Sequence, residues 1–124
     1  MRVTILLLLT MMAAGCCTKT VVNRPFGEVR AALLQLEHRI TSQKQAFSDA
    51  EATGRDISPG YRYELYICEK VAKPFWPYTR LTAKASATNS TSIEVSSRQM
   101  GLFINARRPE TEQQRLQELL KILQ

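Results

Sequence analysis

The sequence predicts an α+β domain of two layers, a short antiparallel sheet of three to four strands packed against an N-terminal and a C-terminal helix, in the order (β)αβββα. Three observations predict it. Val29, Leu33, Leu36 and Ile40 recur at helical spacing. From Tyr61 to Ser97 apolar and polar residues alternate, the period of half-buried strands. Leu116, Leu119, Leu120 and Leu123 then form a second helical stripe at the C-terminus.

Residues 1–15 come before this domain. They hold eleven apolar residues, with Arg2 as a positive flank, an apolar stretch from Val3 to Met12, and the small residues Ala13, Ala14 and Gly15. That is the three-part pattern of an export signal. The stretch of ten residues is too short to cross a hydrocarbon core, which takes about 20.

Cys16 follows. The string Met12-Ala13-Ala14-Gly15-Cys16 resembles the lipobox of bacterial lipoproteins, with Ala13 standing where leucine is commonest. The resemblance implies cleavage before Cys16 and a diacylglycerol on its sulfur. It also implies a location in the cell envelope, lipid-anchored. Cys17 stands where an aspartate often retains such proteins in the inner membrane, which points to the outer membrane, facing the periplasm. Each buried methylene of an acyl chain adds about 0.8 kcal/mol to such an anchor. The organisation expected is a signal over 1–15, a lipidated tether over 16–24 and one domain over 25–124.

Thr18 to Asn23 is short and β-branched, and reads either as a first strand or as tether. The first helix is expected over 25–46, with Pro25 at its first position and Glu28 at the positive end of its dipole. Phe47 to Gly60 reads as a polar loop, broken by Gly54, Ser58, Pro59 and Gly60. Tyr61, Tyr63, Leu65 and Ile67 give the inward positions of one strand, and Leu81, Ala83, Ala85 and Ala87 those of the next. Asn89-Ser90 is a turn; Ile93, Val95 and Ser97 continue as a third strand, extended through Met100 to Ile104 by a bulge near Gly101. Pro109 opens the last helix, with Glu110 and Glu112 in its first turn.

Pro25-Phe26-Gly27-Glu28-Val29 opening the first helix and Arg108-Pro109-Glu110 opening the last, in this element order, resemble the helix-grip (START-like) domains. The resemblance implies a curved antiparallel sheet around the C-terminal helix. Similar domains occur in lipoproteins of the outer-membrane assembly machinery.

The residues offer little to catalysis. His38 is the sole histidine, near the edge of the first helix's apolar stripe, and no CxxC or HxxxH spacing exists for a metal. Neither a catalytic set nor a cofactor is expected. Cys17 and Cys68 leave two readings open: a disulfide pinning the tether to a strand, or a buried Cys68 and a membrane-proximal Cys17. Phe75 and Trp76, between Pro74 and Pro77 and beside Lys73, read as a membrane or partner contact, or as rings folded back over the sheet edge. Lys70, Lys73, Arg80, Lys84, Arg107 and Arg108, in a chain of net charge +6, suggest a basic face. Nucleic acid is not an expected partner for an exported chain. The function expected is a small non-catalytic envelope lipoprotein, an accessory module docking an envelope protein or the membrane surface. The alternative is a carrier of a lipid or other apolar ligand between the sheet and the last helix.

Overall fold

The computed structural model describes residues 17–42, 50–69, 77–100 and 105–124. Its elements run β1 (Thr18–Val22), α1 (Phe26–Ser42), β2 (Ala50–Ser58), β3 (Arg62–Glu69), β4 (Pro77–Ala87), β5 (Ser90–Met100), β6 (Asn105–Arg107) and α2 (Pro109–Leu123). All six strands join one antiparallel sheet in the order β1-β5-β4-β3-β2, and β6 pairs with β5 beside β1.

The two helices and the α+β class are as expected, but the short sheet of three to four strands is not. The sheet has six strands, two of them eleven residues long. Three departures account for this. Residues 18–22 form strand β1 rather than tether. Much of the expected polar loop is β2, a nine-residue edge strand. β5 is described to Met100, and β6 lies antiparallel to it, with Asn105 opposite Met100. Residues 101–104, and the residues 43–46 expected at the end of the first helix, lie outside the described residues.

The strand period puts Tyr63, Leu65, Ile67, Leu81, Ala83, Ile93 and Val95 on one face, and all are buried. Val29, Leu33 and Leu36 from α1, with Leu116, Leu119 and Leu120 from α2, cover that face and complete a single core. The space between the sheet and α2 is thus filled by leucines that are almost fully out of water. Burial of each such side chain stabilises the fold by about 1.5–3 kcal/mol.

A polar junction closes one edge. β1 begins opposite Val95, and β6 ends opposite Arg98, so Ser96 and Ser97 of β5 lie where the two short strands meet. Glu112, fully buried, reaches into this gap from the first turn of α2. Its carboxylate accepts the Ser97 N–H at 3.0 Å, the Thr18 hydroxyl at 2.8 Å and the Arg107 guanidinium at 2.8 Å. The Arg108 N–H donates to the Ser97 carbonyl at 2.8 Å. Burial by itself pushes the Glu112 carboxyl up. Arg107, Ser97 and Thr18 outweigh it and hold the group below the usual glutamate value.

Candidate functional site

Both helices sit on one face of the sheet, and among the described residues no element covers the other. Strand register assembles it in rows. Glu51, Cys68, Tyr78 and Arg98 form one row, and Thr53, Tyr66, Arg80 and Ser96 the next. Arg55, Glu64, Thr82, Glu94 and Lys19 follow, then Arg62, Lys84, Ser92 and Val21.

Six of these side chains are basic (Lys19, Arg55, Arg62, Arg80, Lys84 and Arg98) and three are acidic (Glu51, Glu64 and Glu94). The excess makes the face a positive surface. Two of its ion pairs are loose: Arg80 to Glu64 at 3.9 Å and Lys19 to Glu94 at 3.4 Å, each between partly exposed groups. Such pairs contribute little and leave much of the cationic field directed at solvent.

Aromatic rings lie among these charges. Tyr66 and Tyr78 stack across adjacent strands with centroids 5.5 Å apart and planes 22° from parallel. Tyr66 is still 43% exposed. Partial burial, then the neighbouring Cys68 and Tyr78, push its hydroxyl above the usual phenol value, so it stays a neutral hydrogen-bonding group. A shallow groove of about 360 Å³ runs beside it, lined by Thr53, Arg55, Glu64, Tyr66 and Arg80. At the hairpin end, the Lys84 ammonium lies 5.9 Å from the Tyr61 ring centre. The chemistry on offer is attraction of anionic groups with stacking or interfacial contact from tyrosines.

The residues singled out by sequence fall in different places. Cys16, Lys73, Phe75 and Trp76 lie outside the described residues. Arg107 is not an open contact residue: its guanidinium is committed to Glu112, and its side chain is only 20% exposed. Arg108 is half-buried at the N-cap position of α2, where its side chain makes no capping hydrogen bond. Cys17 and Cys68 are not joined in a disulfide. Cys17 immediately precedes β1 and Cys68 stands on β3, with β5 and β4 between, three strand spacings of about 4.8 Å, beyond the reach of such a bond. Cys17 is buried and its thiol donates to Glu94 at 3.3 Å. His38 is exposed on α1.

Arg55, Tyr66 and Glu112 were not singled out by sequence. The signal for Tyr66 and Arg80 was in the alternation itself, since the polar positions of a one-sided sheet make up its open face. Nothing local marked Glu112, because its partners come from residues 18, 97 and 107.

Among the described residues no group of three or more metal-ligating side chains occurs, and no helix is long and apolar enough to cross a membrane. Neither a family model nor a curated protein sequence matches this chain.

Proposed function

We propose that this protein is a non-catalytic envelope lipoprotein, anchored through Cys16, whose domain rests its open sheet face on an anionic membrane surface as an accessory module. The observation that carries the reading is how soon the fold begins after Cys16. Cys17 is buried and β1 starts at Thr18. An anchor on Cys16 therefore has no spacer, and it keeps the sheet within a few ångströms of the bilayer. The basic excess on the open face, with Tyr66 and Tyr61 exposed, fits such a surface. The carrier alternative needs room between the sheet and the last helix, where Leu116 and Leu119 are fully buried in the core.

Two measurements test the two halves. The intact mass of protein extracted from membranes, beside a Cys16→Ala variant, reads the anchor. A chain beginning at Cys16 with acyl chains added, and lost in the variant, is expected; an unacylated chain overturns it. Amine labelling of Lys84 reads the docking, with the lipidated protein in phosphatidylglycerol-containing vesicles or in neutral ones. Protection only in the anionic vesicles, relieved at 1 M salt where the Debye length is about 3 Å, is expected. Equal labelling in both removes the membrane-facing role of the open face.

A further inference from the structure

The edge opposite the Glu112 junction is β2, and among the described residues no strand pairs beyond it. Nine residues long, it contains neither proline nor lysine, and its bulge and inward-pointing Asp56 both lie at its C-terminal end, so Ala50 to Arg55 is left as regular edge strand. Among the described residues, the backbone donors and acceptors on that side face no other strand.

We propose that β2 pairs antiparallel with β2 of a second copy of this chain, joining two sheets into one continuous sheet. Charge chooses the register. With Thr53 opposite Thr53 of the second copy, Glu51 of each chain faces Arg55 of the other, on the same face of the sheet. Centring the pair on Arg55 or on Glu51 sets like charges directly opposite, which is unfavourable.

The flank of α1 provides a second, independent argument. Arg30, Leu34, Glu37 and Thr41 follow helical spacing along one side of α1. Arg30 and Glu37 on that side reach Asp56 of β2 and Tyr63 of β3. This stripe therefore lies over the β2 edge, and Leu34 within it is 40% exposed. Ile57 at the β2 bulge is 39% exposed. Pairing across β2 sets the two α1 helices side by side, with Leu34 facing Leu34. The two-fold axis this requires is perpendicular to the sheet. It keeps both pairs of helices on one side and both open faces on the other. The pairing does not depend on the lipid anchor.

The test is disulfide trapping in the full-length chain in its own envelope. In Thr53→Cys the two β-carbons at the centre of the pair stand about 4.5–5.5 Å apart, close enough for a bond after a small adjustment. A covalent dimer of this chain is expected from Thr53→Cys, and none from Gln117→Cys on the exposed side of α2. Adding Arg55→Glu to Thr53→Cys is expected to cut the dimer about tenfold, a difference of about 1.4 kcal/mol. Adding Glu51→Arg to that variant restores it, which separates the charge pairing from any misfolding caused by Arg55→Glu alone. Absence of the Thr53→Cys dimer, an equal yield from Gln117→Cys, a dimer indifferent to the charge changes, or a crosslink to a different protein each overturn the proposal.

Discussion

At one edge of the sheet β1 and β6 meet end to end along β5, and the buried carboxylate of Glu112 fills the junction with three hydrogen-bond donors around it. At the other edge β2 carries small or charged residues. It is held to α1 by a surface pair, Arg30 with Asp56 at 2.8 Å; the neighbouring Tyr63 hydroxyl, on β3, donates to Glu37 at 3.3 Å. The first edge is closed from within, by a charge out of water that only its protein partners can satisfy. The second is tied from outside, by an exposed Arg30–Asp56 pair whose partners water can replace. The first kind of tie is costly to break and the second cheap, so the two edges are expected to differ in stability.

Glu112→Ala is the most damaging change expected. It strands the Arg107 guanidinium and the Ser97 N–H, and losing one partner of a buried ion pair costs about 3–5 kcal/mol. Denaturant unfolding reads it, with hydrogen exchange quickening first in β1. The junction also has a pH signature. The folded carboxyl lies below its unfolded value, so its contribution is complete above the ordinary glutamate range and fades as pH falls through the folded value. Glu112→Gln is expected to lose that part of the acid dependence. A retained acid limb of the same size would assign it to another carboxylate.

Gly54→Ala comes next, at the open edge. A β-carbon there collides with the Tyr63 hydroxyl and presses on Glu37, an overpacking that costs about 1–3 kcal/mol by thermal unfolding. Tyr63→Phe in the same chain removes the oxygen and is expected to recover part of the loss. Tyr63→Phe alone deletes one hydrogen bond, for about 1 kcal/mol. In the unaltered protein, burial first and Glu37 second push this phenol up to about 12. Ultraviolet titration should therefore show Tyr63 ionising late, a step lost in Tyr63→Phe. The neutral phenol's contribution is complete below the ordinary tyrosine value and is lost as pH rises toward 12.

Asp56→Asn should have the smallest effect. It breaks an exposed two-pronged pair with Arg30, whose strength falls with added salt. The expected reading is faster exchange in β2 with little change in global unfolding. If β2 and β1 instead loosen together in every variant, the two edges belong to one cooperative unit and the contrast between them fails.

The elements legible in the sequence are those whose own residues carry the period. Tyr63, Leu65 and Ile67 announce β3, and Leu116, Leu119 and Leu120 announce α2. β2 was hidden because its inward positions, Ala50, Ala52, Gly54 and Asp56, are small or charged, and its large apolar residue, Ile57, is exposed. The volume over β2 is filled from elsewhere, by Tyr63, Glu37 and Arg30. The residues that broke the period there, Ser58, Pro59 and Gly60, mark a hairpin turn: the Tyr61 N–H donates to the Ser58 carbonyl, and Gly60 sits at a φ of 75°.

Because periodicity is local, the sequence by itself determined the two helices and most of the inward positions of β3, β4 and β5, though not Tyr61 or Ala87, which are exposed. Tertiary structure decided what no local pattern encodes. It recruited β1 and β6 to β5, spending Arg107 on Glu112 rather than on a surface, since a buried carboxylate requires its cation. It put two strands between Cys17 and Cys68. And it set the basic and tyrosine side chains of β2 to β5 in register on one open face, because strand pairing brings together residues that are far apart along the chain.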